Sequence, residues 1–353
     1  MSKKNNLPAD DSIKKILIIK WSAMGDVVIS TALFEDICRA FPDAEIDLNT
    51  LPPWDKLFRD DPRFNEIITV DLRNTEKGFK GFWHWLKEIG ARKYDLIVDL
   101  QSNDRSRWFM LALSLLGGNV RYRLGNHRRV PYNLAPAPPK DLPIHAFKLQ
   151  QRALESAGIP ALTMRPVLHV NAESRQRAEQ LLAEFELQPG KYAIFLPGCQ
   201  AAGYLKRWGA DNYAGLAALL HQQGLKVAIV GGPDEMDECE KIVAAVGADW
   251  LVNLCGRTQI VDIVPLAQQA RLIVGNDTGT AHVSSASDRP MLVVCGPTDP
   301  RRVKPIGENV EAVQVTDLEC INCYSKEPCE HHSCMRELTP EIVLAKLREM
   351  KAV

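Results

Sequence analysis

The sequence predicts an α/β protein of two domains, each a parallel sheet with helices on both faces. Three observations carry this prediction. At 353 residues the chain can bury two cores of ordinary size. Short, continuous apolar runs alternate with amphipathic stretches along nearly its whole length, the pattern of buried parallel strands separated by crossover helices. Several of those runs drop into a turn that combines glycine with polar residues and then open a helix.

Composition narrows the function. Apolar residues make up 46% and charged residues 25%, with a formal net charge of -1. This is ordinary globular composition, and the overall charge argues neither for nor against nucleic acid. No apolar run approaches the ~20 residues of a membrane span, and the first fifteen residues are polar, without the apolar core of a signal peptide. A cytoplasmic location is expected. Of nine cysteines, those at 38, 199, 239, 255 and 295 sit mostly in apolar or helical contexts and read as core filler, whereas four cluster near the C-terminus.

In the first half, Lys14–Lys20 reads as a buried strand, and Trp21-Ser22-Ala23-Met24-Gly25-Asp26 as the turn into a helix from Val27 to Phe41. Ligands of doubly wound sheets bind just beyond strand carboxyl ends, so this turn is a place for chemistry, although the Gly-x-Gly-x-x-Gly dinucleotide spacing is absent. Strands are expected at 44–50, 66–70 and 94–100, and helices at 79–91, 105–116 and 145–158. Between Arg73 and Arg129 twelve Lys/Arg stand against five acids, with Trp83, Trp85 and Trp108 interleaved. Solvated basic helix faces explain this, as does a basic, aromatic-edged surface for a phosphorylated or membrane-borne acceptor. On the second reading Arg105, Arg107 and Arg128 are the acceptor contacts. No nucleic-acid-binding motif accompanies the charge. A loop with five prolines spans 130–143. The domain boundary falls within 160–190, where a helix is expected at 172–185. The divisions are then 1–165, a linker region 166–190, 191–335 and a last helix in 336–353.

The second half repeats the pattern, with strands expected at 192–196, 226–230, 250–254, 272–274 and 291–294. Helices are expected at 211–223, 235–246, 259–269 and 280–287. The first of these strands opens into Pro197-Gly198 and a loop containing Lys206-Arg207-Trp208, the second into Gly231-Gly232-Pro233-Asp234-Glu235, and the fourth into Gly275-Asn276-Asp277-Thr278-Gly279. In a parallel sheet these three turns project from one edge. The last, with helix-start N–H groups and capping side chains, favours an anion such as a phosphate; taken alone, it reads as a capped helix.

These residues resemble glycosyltransferase family 9, the bacterial lipopolysaccharide heptosyltransferases. Ser22-Ala23-Met24-Gly25-Asp26 is similar to the family's Ser-x-x-Gly-Asp turn and Lys206-Arg207-Trp208 to its Lys-Arg/His-Trp loop. Asp277-Thr278-Gly279 with His282 is similar to Asp-Thr-Gly-x-x-His, and Gly296-Pro297-Thr298-Asp299-Pro300 to the Gly-Pro-Thr-Asp-Pro turn. The resemblance implies a GT-B architecture, two Rossmann-like domains facing a cleft, the first binding acceptor and the second the nucleotide sugar. It implies inverting transfer of heptose from ADP-heptose to a lipid A–Kdo type core acceptor, an anionic lipid-linked glycan at the inner membrane. The enzyme would then work in the cytoplasm or peripherally on the inner face of the cytoplasmic membrane.

In that frame Asp26 is the general base and Lys206 neutralises the leaving diphosphate. Asp277, Thr278, Gly279, His282, Glu235 and Gly198 contact the donor. Each has a plainer role: Asp26 as helix N-cap, Lys206 as a solvated lysine, His282 as a packed helix histidine, Glu235 as a first-turn acid. The chain has no Asp-x-Asp, so no metal-bridged diphosphate is signalled and no catalytic cofactor is expected. The readings that compete are a family member using another nucleotide sugar or glycan, a sugar-nucleotide epimerase of similar fold, and a non-enzymatic nucleotide-binding protein. Cys320, Cys323, Cys329 and Cys334 have spacing compatible with a structural zinc site, with free thiols, or with a redox-labile disulfide. Thr339-Pro340 starts the last helix, which in GT-B enzymes often crosses back to the N-terminal domain.

Overall fold

The structure is a computed structural model that describes residues 6–71, 78–116, 118, 120–140, 142–198, 201–325, 327 and 329–353. The chain divides into two compact units, Met1–His169 and Val170–Val353. Cys199 and Arg73, named above, lie outside the described residues.

The first unit runs β1 (Lys15–Ile19), α1 (Met24–Ala40), β2 (Glu45–Thr50), β3 (Glu66–Thr69), α2 (Phe79–Ala91), β4 (Leu96–Asp99), α3 (Asp104–Leu115), β5 (Tyr122–Leu124) and α4 (Ala146–Ser156). Its five strands are parallel in the order β3-β2-β1-β4-β5. Leu17, Ile18 and Ile19 are fully buried because β1 is covered on both faces. Burial of each such side chain stabilises by roughly 1.5–3 kcal/mol. One face packs Trp21, Trp85 and Phe109 edge to face. The two indole N–H groups need an acceptor in that core, and the buried Asn49 Oδ1 takes both, at 2.7 and 2.8 Å. On the other face α1 places Phe34 against Phe58 and Phe64.

The second unit runs α5 (Ala172–Glu184), β6 (Tyr192–Leu196), α6 (Ala210–His221), β7 (Lys226–Ile229), α7 (Met236–Val246), β8 (Leu251–Asn253), α8 (Ile263–Gln269), β9 (Leu272–Asn276), α9 (Gly279–Ser284), β10 (Met291–Val294), α10 (Pro300–Val303), β11 (Val310–Val313), α11 (Ser333–Arg336) and α12 (Pro340–Glu349). Six parallel strands are ordered β11-β10-β9-β6-β7-β8. Gly275 in β9 faces Leu196 across the register, and a Cβ there would lie 2.8 Å from the Leu196 Cβ, so only glycine lets the two central strands close up.

The helix 172–184 belongs to the second unit, not to a linker. Arg177 forks onto the buried Asp262 with Nε–Oδ2 at 3.0 Å and Nη2–Oδ1 at 2.8 Å. Helix α12 packs on α6 through the buried Val343 and Leu347, within the core of its own unit. Two strands were not anticipated, β5 and β11. Both are short edge strands with half-exposed, partly polar residues, and so lack the apolar run that marks the central strands. Among the described residues no helix is long and apolar enough to cross a membrane.

Candidate functional site

In each sheet the chain reverses its winding between two central strands, β1/β4 in the first unit and β6/β9 in the second. Such switch points open a crevice beyond the strand carboxyl ends. Asp26 follows β1, and the residues from Pro197 and from Asp277 follow β6 and β9.

Helix α1 starts at Met24, three residues before the position expected from sequence. Asp26 is therefore not an N-cap but the third residue of the helix. It reaches back so that the backbone N–H of Ala23 donates to its Oδ2 at 3.3 Å. It is half-buried. The turn before it is held by Gln101, whose Oε1 accepts from the N–H groups of Trp21 (3.1 Å) and Ser22 (3.0 Å). Beneath lies Lys20, only 4% exposed, donating from Nζ to the Leu100 carbonyl at 3.3 Å. Burial pushes the Lys20 ammonium below its usual range, while the nearby carboxylates of Asp26 and Asp99 push it back up. Asp99 is fully buried at the end of β4, accepting from Ser102 N–H at 2.8 Å and from the Tyr132 hydroxyl; burial raises its carboxyl. Lys20, Asp99 and Tyr132 escaped the sequence reading, because a lysine ending a strand and an aspartate inside one look unexceptional.

Of the three arginines proposed for the acceptor, Arg107 lines a cavity of about 260 Å³ with Asn103, His127, Arg129 and Tyr132. Arg128 lines an adjoining-sequence cavity of about 430 Å³ with Arg129, Tyr132 and Asn133. Arg105 is exposed at the start of α3 and lines neither. Arg129, common to both cavities, was missed beside its neighbour. Arg107 is oriented by Asp104 (3.3 Å) and lies 5.5 Å over the Trp108 ring.

In the second unit Lys206 and Asp277 meet. Lys206 Nζ donates to Asp277 Oδ2 at 2.7 Å and to its carbonyl at 3.4 Å, and Thr298 Oγ1 donates to the same Oδ2 at 3.1 Å. Asp277 is 5% exposed and the Lys206 side chain 31%, so the carboxylate is the buried anchor and the ammonium the reachable end. Three of the four family-like motifs thus converge on one carboxylate oxygen and its counter-ion. Thr278 is the N-cap position of α9 without a capping bond; its hydroxyl pairs with that of Thr280 at 2.9 Å. His282 is 8% exposed in α9.

What draws these turns together is Asn276, wholly buried and not picked out by sequence. Its Nδ2 donates to the Pro197 carbonyl at 2.5 Å, and its Oδ1 accepts from Trp208 N–H (3.3 Å) and Tyr213 hydroxyl (3.0 Å). Glu235 fills the space over Gly198, where an added Cβ would fall 2.0 Å from its Cδ, and accepts from Gly232 N–H at 2.8 Å. Burial raises its carboxyl, with that N–H bond and Arg207 opposing.

The C-terminal cysteines are graded in burial: Cys320 and Cys323 exposed, Cys329 half-buried, Cys334 buried, all free thiols. The Cys334 thiol is pushed up to about 11, first by burial and then by the other three sulfurs. Cys320 Sγ is 4.0 Å from His331 Nε2, but among the described residues no group of three or more His, Cys, Asp or Glu is gathered to hold a metal ion.

The sequence model of glycosyltransferase family 9 (heptosyltransferase) matches residues 82–333. Lipooligosaccharide heptosyltransferase 2 of Haemophilus influenzae is 30% identical over 359 residues, spanning 96% of this chain and 99% of its own length. Two solved structures share the fold. A glycosyl transferase family 9 structure from Veillonella parvula has a TM-score of 0.82 at 19% identity, covering 96% of this chain and 97% of its own. ADP-heptose LPS heptosyltransferase II of E. coli has a TM-score of 0.71 at 24% identity, covering 95% and 98%. With the family's motifs seated at the switch points of two doubly wound sheets, the chain belongs to glycosyltransferase family 9 and is a glycosyltransferase.

Proposed function

We propose that the chain is an inverting heptosyltransferase that moves heptose from ADP-heptose to a lipid A–Kdo type core acceptor of lipopolysaccharide. The observation that carries the proposal is the pairing of Lys206 with the buried Asp277 beside the helix start at Thr278, a fixed cation next to backbone donors. Such a constellation suits a leaving diphosphate. In the reaction Asp26 takes the proton of the acceptor hydroxyl as its oxygen bonds the anomeric carbon. The bond from that carbon to the diphosphate breaks, and ADP leaves with the electron pair. Lys206, the Thr278 hydroxyl and the backbone of Gly279 meet the phosphate charge; His282, Glu235 and Gly198 line the rest of the donor site. The first unit binds acceptor, with Arg105, Arg107 and Arg128 meeting its anionic groups, and the second binds donor. The enzyme works on the inner face of the cytoplasmic membrane, where a lipid-linked acceptor is presented. A structural zinc on Cys320, Cys323, Cys329 and Cys334 is a separate proposal, supported by their spacing in the sequence. Elemental analysis of protein purified without chelator tests it; a metal-free protein of full stability overturns it.

The purified chain incubated with ADP-heptose and a heptose-deficient lipid acceptor tests the main reading. ADP released only when acceptor is present supports transfer. An altered sugar nucleotide formed without acceptor overturns it in favour of epimerisation, and turnover with UDP-sugars alone overturns the choice of donor.

A further inference from the structure

Helices α2 and α3, which pack side by side, expose five large apolar side chains. Phe79, Trp83, Trp108, Leu115 and Leu116 are 72, 46, 58, 76 and 62% exposed. Helix α2 is divided cleanly: Gly81, Trp85, Leu86 and Ile89 are buried, while Phe79, Lys80, Trp83 and Lys87 project outward. Phe79 and Trp83, one turn apart, meet edge to face at 5.7 Å. A groove of about 680 Å³ runs between the helices, floored by Leu86 and Leu113 and edged by Trp83, His84, Lys87 and Leu116.

Among the described residues of α2 and α3 the exposed charges beside this surface are mostly basic. Lys80, Lys87 and Arg105 are exposed. The two acids of these helices are engaged, Glu88 with Arg92 and Asp104 with Arg107. Contiguous exposed apolar area marks a surface that meets something. Aromatic rings and leucines interleaved with lysines suit a boundary where apolar bodies enter hydrocarbon and ammonium groups stay at phosphates. A second copy of this face would set lysine against lysine, whereas an anionic lipid surface complements both components.

We propose that the α2–α3 face docks the chain on an anionic phospholipid bilayer. Phe79, Trp83, Trp108, Leu115 and Leu116 enter the outer acyl region, and Lys80 and Lys87 sit among the headgroup phosphates. The inference rests on the reading of a lipid-linked acceptor and assigns the surface by which the enzyme reaches it.

The test is sedimentation of the full chain with phosphatidylglycerol/phosphatidylethanolamine vesicles and with pure phosphatidylcholine vesicles, with tryptophan quenching by brominated lipid. The native chain is expected to bind the anionic vesicles, with quenching, and to bind phosphatidylcholine weakly. Lys80→Gln/Lys87→Gln is expected to lower partitioning roughly 25-fold, about fivefold per basic residue. Phe79→Ser/Trp83→Ser should weaken vesicle binding and lower quenching by lipid to the part owed to Trp108, and because all four residues are exposed, both variants should fold. Both should also keep native turnover on a water-soluble, deacylated acceptor. Native protein that stays off anionic vesicles, variants that bind as well as native, or a Phe79→Ser/Trp83→Ser change that splits a dimer in solution would each overturn the docking proposal. Vesicle binding without any turnover of ADP-heptose on the deacylated acceptor would instead overturn the functional reading and leave the docking surface standing.

Discussion

Two aspartates lie beside the two switch points, Asp26 beyond β1 in the first unit and Asp277 beyond β9 in the second, and they are held in opposite ways. Asp277 is buried and its Oδ2 is committed to Lys206 and Thr298. Asp26 is half-buried, and among the described residues its carboxylate accepts only the Ala23 N–H, at a long 3.3 Å. A carboxylate already shared between an ammonium and a hydroxyl holds other groups in place. One with open lone pairs can take a proton. The same residue type beside a switch point is thus committed in one unit and open in the other, as the proposed roles of strut and base require, and the difference lies in the partners supplied by distant turns.

The largest expected effect tests the base. Asp26→Asn keeps the capping acceptor but removes the proton acceptor, so kcat for ADP release should fall by about 10²–10⁴ while the melting temperature stays near native. Near-normal turnover would make Asp26 a cap and erase the contrast. Lys206→Ala should lower kcat by about 10²–10³ through lost phosphate stabilisation. If Asp277 acts through Lys206, Asp277→Asn added to Lys206→Ala should cost little further turnover; additive losses would mean that Asp277 touches substrate itself.

Asn276→Ala removes the acceptor of Trp208 N–H and Tyr213 hydroxyl and the donor to Pro197. Denaturant unfolding should record a loss of about 3 kcal/mol, since buried donors are left unpaired. The smallest effects concern Glu235. Gly198→Ala should displace that carboxylate at little cost in stability, because the clash is with the end of a flexible side chain, yet raise the donor KM about tenfold if Glu235 meets the nucleotide. Burial raises the Glu235 carboxyl, so the folded state favours its protonated form and loses stability as pH climbs from the ordinary carboxylate range through the raised native value. Glu235→Gln should therefore equal native protein at acid pH and exceed it above that window; equal stability at every pH would show that Glu235 ionises freely.

Most of the fold was legible because its signals are local. Apolar runs at 15–19, 192–196 and 291–294 and the helix at 79–91 fall where period and length place them. The edge strands β5 and β11 lacked such runs. Helix α1 began early because its cap is a backbone arrangement closed by Asp26 itself, which no N-cap residue type announces. The segment 172–184 looked like a linker helix until the Arg177–Asp262 fork tied it to the second unit. Among site residues, those in glycine-bearing turns stood out. Asn276, Lys20 and Asp99 did not, because burial gives them their importance and burial is not visible in a single residue type.

By itself the sequence determined the alternation of strand and helix, the two parallel sheets, and the glycine-bearing turns beyond the strands, since strand runs, glycine and capping residues act over a few neighbours. Tertiary structure alone decided the pairings. Lys206 reaches Asp277 across 71 positions and Asn276 reaches Pro197 across 79, because parallel strands that are neighbours in space are distant in the chain. Whether a carboxylate is left free or bound is settled by which turns the closed sheet edge brings beside it.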